Sequence, residues 1–182
     1  MSVQLRRTAS PAAEAGLAPF GSLPSRRSIL PLLVIGIGSG RSGWLEGRPK
    51  LVKVVLLIQD LAKGAAKEIL GEDPPYDFTV GAHGPTSESL LNDVKELVER
   101  GLVDSESFSV DPDGVVVGTR YRLSPKGKRV MNALGNEMDV LVESNPLRKR
   151  WHRRSRPMSE FIEKMTPLSS SELSGLVYQS QH

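Results

Sequence analysis

The densest group of residues that could do chemistry is a basic stretch near the C-terminus. Six of the nine residues 148–156 are Arg or Lys, and Trp151 and His152 lie among them. Arginine-rich segments gain affinity for polyanions by releasing the counterions around phosphates, and an indole stacks on an exposed base. The stretch predicts nucleic-acid contact through Arg148, Lys149, Arg150, Trp151, Arg153, Arg154 and Arg156. The alternative is a solubilising tail whose Trp151 packs back onto the domain.

A second group of cations follows a predicted strand into a helix. Alternation along residues 115–123 places Arg120 and Arg122 on one face, and Lys126, Lys128 and Arg129 follow in the next helix. Five cations within ten residues predict phosphate contact. The alternative is that these charges only solvate the face of a sheet.

A third group lies on a predicted helix that begins at Thr86 or Ser87. Ser87, Ser89, Asn92 and Lys95 are near the N-terminal end of this helix, where the partial positive charge favours phosphate. The non-core positions of the helix nevertheless carry four acids, Glu88, Asp93, Glu96 and Glu99, and two bases, Lys95 and Arg100. Because an acidic helix loses the electrostatic attraction to phosphates, base reading by this helix is disfavoured. A solvated polar face, with Thr86 or Ser87 acting only as a cap, is the alternative.

Other chemistries find no support in the sequence. The chain has no Cys and three isolated His, at 83, 152 and 182, which excludes thiolate metal sites, thiol nucleophiles and His-rich metal sites. No Ser, His and acid occur in a recognisable catalytic arrangement. Residues 111–114, Asp-Pro-Asp-Gly, fit a tight turn, since the rest of a calcium loop is absent. We therefore expect no enzyme activity, no metal and no cofactor.

Charge is distributed unevenly along the chain. The net charge is +3, yet residues 1–48 carry six Arg and two Glu, and residues 146–182 carry seven basic and three acidic groups. Residues 49–145, in contrast, carry 11 basic and 16 acidic groups. A polyanion-binding function must therefore be assigned to particular segments.

Three interpretations compete for residues 1–48, which are rich in Gly, Ala, Ser, Pro and Arg. Ser-Arg-Arg-Ser-Ile-Leu at 25–30 is similar to a twin-arginine export signal, but no cleavage site follows. Residues 38–43 match the GxGxxG pattern of a dinucleotide-binding turn, but Gly47 and Pro49 interrupt the helix that should follow. We favour the third, a disordered or mis-assigned extension of a cytoplasmic protein. The apolar run 29–37 is too short to cross a bilayer.

Regular elements are predicted from Pro49 onward. Apolar spacing indicates a helix from residue 49 to Gly64, a short helix at 65–70, an extended piece at 76–80 and a third helix ending at Gly101. A β-hairpin follows, with strands on either side of the turn 111–114. Ser124 and Pro125 then open a final helix, with Val130, Leu134, Met138 and Leu141 on its buried side. At most one more short helix is expected, near 159–165.

Two runs of residues resemble known winged-helix families. Gly84-Pro85-Thr86-Ser87, the Leu and Asp positions at 90–97 and Gly101-Leu102-Val103 resemble the "GPxS…L..D…L…GLI" run of YwgA-like proteins. The run 121–127, Tyr-Arg-Leu-Ser-Pro-Lys-Gly, is similar to the strand-to-helix segment that closes the wing in PadR-like and MarR-like regulators. The resemblance covers about residues 50–143. It implies an α+β, mainly helical fold: a winged helix-turn-helix with an added C-terminal helix and disordered ends.

The domain division expected from these patterns is an extension at 1–48, a winged-helix domain at 49–145 and a basic, Ser-rich tail at 146–182. The function expected is a transcriptional regulator that binds double-stranded DNA mainly through the wing and the basic tail. The alternative is a winged helix that contacts another protein. By resemblance, the helix 125–143 is a candidate surface for a homodimer.

Overall fold

The structure is a computed structural model that describes residues 23–40, 43–61, 76–109, 117–134, 141–142 and 156–180. The fold is α+β. After a short 3-10 turn, Arg26–Ser28, the helices are α1 Ile29–Gly38, α2 Arg48–Leu61, α3 Glu88–Glu99, α4 Pro125–Ala133, α5 Met158–Met165 and α6 Ser170–Ser180. The strands are β1 Leu45–Glu46, β2 Thr79–Gly81, β3 Gly84–Thr86, β4 Val103–Ser109, β5 Val117–Leu123, β6 Leu141–Val142 and β7 Arg156–Pro157.

Helix α1 is the centre of the hydrophobic core. Every residue from Ile29 to Ile35 is buried, and the helix contacts α2, α3, α4, α5 and β5. A helix that is apolar on all sides is stable only when other elements surround it. The expectation that residues 1–48 form an extension outside the domain therefore does not hold for residues 23–48. The GxGxxG pattern also begins at the last residue of this helix, where a dinucleotide-binding turn requires a preceding strand.

Helix α2 is covered on more than one side. All residues from Leu51 to Gln59 are buried, because α1 packs on one side and α6 on another. Buried Lys53 donates hydrogen bonds to the carbonyl and hydroxyl oxygens of Ser170, at 3.0 and 2.7 Å. The expected second helix at 65–70 lies outside the described residues.

Three strands form an antiparallel sheet in the order β1-β5-β4. The hairpin strands pair from Val103 with Leu123 to Ser109 with Val117, which confirms the predicted antiparallel pair; its turn at 111–114 lies outside the described residues. Strand β1 adds to the other edge of β5, with Leu45 opposite Tyr121. Tyr121 and Leu123 are buried, as the predicted alternation requires, whereas Val117 at the start of the same face is 66% exposed.

Helices α3 and α4 begin at the expected residues. The Ser87 and Ser124 hydroxyls accept hydrogen bonds from the N–H groups of Leu90 and Gly127, and Pro125 opens α4. After α3, Gly101 adopts a positive φ of 67°, as a C-terminal stop requires.

The C-terminal part differs from the expected helix and tail. Helix α4 ends at Ala133, before the helix-breaking pair Gly135-Asn136, and Leu141 belongs to strand β6, which pairs with β7. The candidate dimer helix 125–143 is therefore not one continuous helix. Helix α5 confirms the short helix expected near 159–165, whereas α6 is a further helix. Phe161, Ile162 and Leu173 are fully buried, so residues 158–180 belong to the folded domain and not to a tail.

None of the helices within the described residues combines the length and hydropathy needed to span a bilayer.

Candidate nucleic-acid interface

The polar positions of α3 divide between solvent and core. Asn92 and Lys95 are exposed and Ser89 is half-buried, and Lys95 lies 3.7 Å from Glu99 one turn later. Ser87, in contrast, is only 1% exposed and caps the helix. Its side chain is therefore not available to DNA, and the assignment of Ser87 as a contact residue is corrected to a structural cap.

Asp93 also differs from its expected place on the outer face of α3. It is 4% exposed, and Arg27 donates two hydrogen bonds to its carboxylate, at 2.8 and 3.0 Å. The Tyr76 hydroxyl donates a third, at 2.8 Å. Side-by-side pairing of a guanidinium with a carboxylate is the strongest geometry for such a pair. The 3-10 turn before α1 is thereby fixed to α3.

Tyr76 completes this buried polar cluster. The side-chain amide of Gln59 donates to the Tyr76 carbonyl at 2.6 Å and accepts from its N–H at 3.2 Å. Burial, and then the charge and hydrogen bond of Asp93, raise the pKa of the Tyr76 phenol above its usual value. The neutral phenol is therefore the form that this site holds. Sequence patterns give no sign of the cluster, because Arg27 and Asp93 are 66 residues apart.

The arginines of β5 are paired within the sheet. Arg120 lies 2.9 Å from Glu106, and Arg122 lies 3.1 Å from Asp104, directly across the β4–β5 hairpin. Both guanidiniums also lie over the Trp44 ring, at 4.7 and 4.4 Å from its centroid. The carboxylates already neutralise these two cations, so the sheet face offers less attraction to phosphate than the sequence suggested.

The first basic residue of α4, Lys126, lies close to the end of α3. The Lys126 ammonium donates to the carbonyl of Arg100 at 2.8 Å, and the Ser124 hydroxyl donates to the carbonyl of Gly101 at 2.6 Å. Lys128 and Arg129 are exposed on the same helix. The structure thus places Lys126 at the C-terminal end of α3, at the opposite end of that helix from Ser89, and it leaves Lys128 and Arg129 exposed on α4.

Most of the basic stretch 148–156 lies outside the described residues: Arg148, Lys149, Arg150, Trp151, Arg153 and Arg154. Arg156 is described as part of β7, opposite Val142 of β6. Directly after β7, Met158 and Phe161 of α5 are buried in the core. The described strands therefore hold residues 142 and 156 side by side and join the end of the basic stretch to the domain.

Within the described ranges, no group of three or more His, Asp or Glu side chains is placed so that it could hold a metal ion.

Comparisons with family models, with curated proteins and with solved structures found no match to this chain.

Proposed function

We propose that this chain is a winged-helix protein that binds double-stranded DNA and regulates transcription. The fold assignment is supported by the element order α1, β1, α2, α3, β4, β5 and by the strand order β1-β5-β4. In this assignment α2 and α3 are the helix-turn-helix pair, with β2 and β3 inserted between them. The hairpin of β4 and β5 is the wing, and α4 follows it.

The basic stretch 148–156 supplies most of the affinity for DNA in this proposal, and α4 supplies the rest. Arg120 and Arg122 are paired with acids, and Glu88, Glu96 and Glu99 of α3 are exposed. The observation that carries the proposal is the concentration of six cations in nine residues, next to the strand pair β6–β7. Cations in this arrangement contact phosphates, and such contacts carry little sequence information.

The experiment measures binding of a labelled random duplex by fluorescence anisotropy at low salt. In one variant, the basic residues at 148, 149, 150, 153, 154 and 156 are all replaced by Gln. We expect this variant to bind at least tenfold more weakly, since each lost phosphate contact removes counterion release. A matched control replaces the five Arg of the stretch by Lys, which keeps the charge and should keep most of the affinity.

A further variant, in the wing, separates the contribution of the wing from that of the basic stretch. The wing variant replaces both ion pairs by neutral side chains, Arg120→Gln with Glu106→Gln and Arg122→Gln with Asp104→Asn. It should weaken duplex binding less than threefold, because the two ion pairs carry no net charge. If the wing variant loses more affinity than the Gln variant of the basic stretch, the division of roles proposed here is wrong.

The second candidate function is protein binding through α3. It is favoured by the exposed carboxylates of Glu88, Glu96 and Glu99 beside the half-buried Leu91 and Val98, a mixture of charge and apolar surface that suits a basic protein partner. If the wild-type chain fails to bind random duplex at low salt, DNA binding is excluded and this second candidate is favoured.

A further inference from the structure

A cleft of about 760 Å³ opens between the C-terminal end of α1, strand β1, the first turn of α2 and the end of α5. Its volume falls within the range of small-molecule sites in proteins. The proposed DNA-binding function makes no use of it. The residues that line the cleft are therefore considered for a separate ligand.

The walls of the cleft are apolar on one side and acidic on another. Trp44, Ile37 and Pro167 give it apolar surface, and Glu46 and Glu163 bring two carboxylates. Both carboxylates are exposed, and neither forms an ion pair with a basic side chain among the described residues. No basic side chain in the described part of the chain therefore occupies these two carboxylates.

The ends of two helices add to the negative potential. Gly38 and Ser39 at the end of α1, and Thr166 and Pro167 at the end of α5, also line the cleft. The C-terminal end of a helix carries a partial negative charge of about half an electron. Cations are stabilised at such ends, and anions are not.

Lys50 is the one basic side chain among the lining residues that the structure describes. Its ammonium donates to the carbonyl of Thr166 at 3.1 Å, so its charge is directed at the end of α5. It neutralises one carboxylate at most. The guanidiniums of Arg120 and Arg122 over Trp44 are already paired with Glu106 and Asp104, so the lining residues that the structure describes keep a net negative charge.

We propose that this cleft binds an organic amine, with its cationic group between Glu46 and Glu163 and its apolar part against Trp44 and Pro167. A ligand anion would meet two carboxylates and the C-terminal end of α1, whereas the end of α5 is already occupied by the Lys50 ammonium. A purely apolar ligand would leave the carboxylates without a partner. The proposal does not depend on the DNA-binding function.

Three probes of matched size test the charge preference: 2-phenylethylamine, 2-phenylethanol and phenylacetate. Trp44 fluorescence reports binding in a Trp151→Phe background, where it is the single tryptophan of the chain. We expect a saturable change with the amine, at least fivefold weaker binding of the neutral alcohol and no saturation with the anion. Equal affinity for the three probes, or no saturation by the amine below about 10 mM, a weak affinity of about 3 kcal/mol, overturns the proposal.

Carboxylate variants test the position of the cation. The double variant Glu46→Gln, Glu163→Gln should bind the amine about tenfold more weakly, which corresponds to two partly exposed charge contacts. The control Glu88→Gln, Glu96→Gln removes the same charge from α3, which does not line the cleft, and should leave amine binding within twofold. An equal loss in both double variants shows a general charge effect and contradicts the proposed site. Circular dichroism of each variant shows that it is folded.

Discussion

At the scale of single residues, the cluster around Asp93 shows how one buried charge joins distant parts of the chain. Arg27 and Tyr76 both donate to its carboxylate, and Gln59 holds the backbone of Tyr76. The sequence showed Asp93 only as one of four acids on a helix. Which of the four faces inward depends on a partner 66 residues earlier, and helical periodicity cannot supply that information.

Replacement of Asp93 by Ala should destabilise the fold by about 2–4 kcal/mol. The substitution leaves the Tyr76 hydroxyl and the Arg27 guanidinium without their carboxylate, and loss of one partner of a buried pair costs more than the pair itself contributes. Because Arg27 is half-exposed, the expected loss of stability lies below the upper limit for a fully buried pair. Urea denaturation measures the change. Glu96→Ala, an exposed acid on the same helix, should cost less than about 0.5 kcal/mol, and similar losses in the two variants would contradict the role given to Asp93.

Tyr76 should make the stability depend on pH above about 10, the usual pKa of a phenol. Its pKa is raised in the folded chain, so its contribution is complete below pH 10. Above that pH the unfolded chain releases the phenolic proton and the folded chain keeps it. The contribution of Tyr76 then falls by about 1.4 kcal/mol for each pH unit.

Urea denaturation of the wild type and of Tyr76→Phe between pH 8 and pH 11 tests this expectation. The variant lacks the ionisable phenol, so the stability difference between the two proteins should shrink as the pH rises through 10. A difference that stays constant over this range would show that the phenol ionises equally in both states. Both proteins carry the same other groups that titrate at high pH, so the contributions of those groups cancel in the stability difference.

At the scale of elements, local signals predicted the starts of α3 and α4 and the end of α3 better than they predicted the core or the end of α4. The caps Ser87 and Ser124 and the stop at Gly101 follow from short-range chemistry, and the structure confirms them. Helix α1 was missed because its apolar run has neither a polar face nor a cap hydrogen bond. The apolar run is stable as a helix only because the surrounding helices bury it.

Two glycines in helices should respond to Ala in opposite directions. A Cβ on Gly127 of α4 would collide with the backbone carbonyl of Leu102, whereas a Cβ on Gly175 of α6 meets nothing within 4 Å. Gly127→Ala should therefore destabilise by more than about 1 kcal/mol, as overpacking does. Gly175→Ala should stabilise by about 0.5–1 kcal/mol, since Ala has the higher helix propensity.

Thermal denaturation of the two glycine variants measures both effects in parallel. A tolerated Ala at 127 would mean that α4 does not pack against the turn after α3 as described. That result would also contradict the hydrogen bond from Lys126 of α4 to the carbonyl of Arg100.

At the scale of the whole molecule, the charge asymmetry of the sequence and the packing of the structure lead to different domain boundaries. Composition separated 1–48 and 146–182 from the middle, yet residues 29–35 and 158–165 pack against each other at the centre of the fold. Composition averages over segments, whereas burial depends on a few side chains within each segment. The order of the strands could be anticipated only in part, because β1 consists of two residues.

The salt dependence of duplex binding tests the central claim most directly. The equilibrium constant K for duplex binding is measured from 50 to 200 mM salt, and log K is plotted against the logarithm of the salt concentration. The steepness of this plot increases by about 0.9 for each phosphate contact. We predict that the Gln variant of the basic stretch lowers the steepness of this slope by about 3–5, while the wing variant lowers it by less than about 1. An unchanged slope in the Gln variant would show that residues 148–156 do not contact DNA.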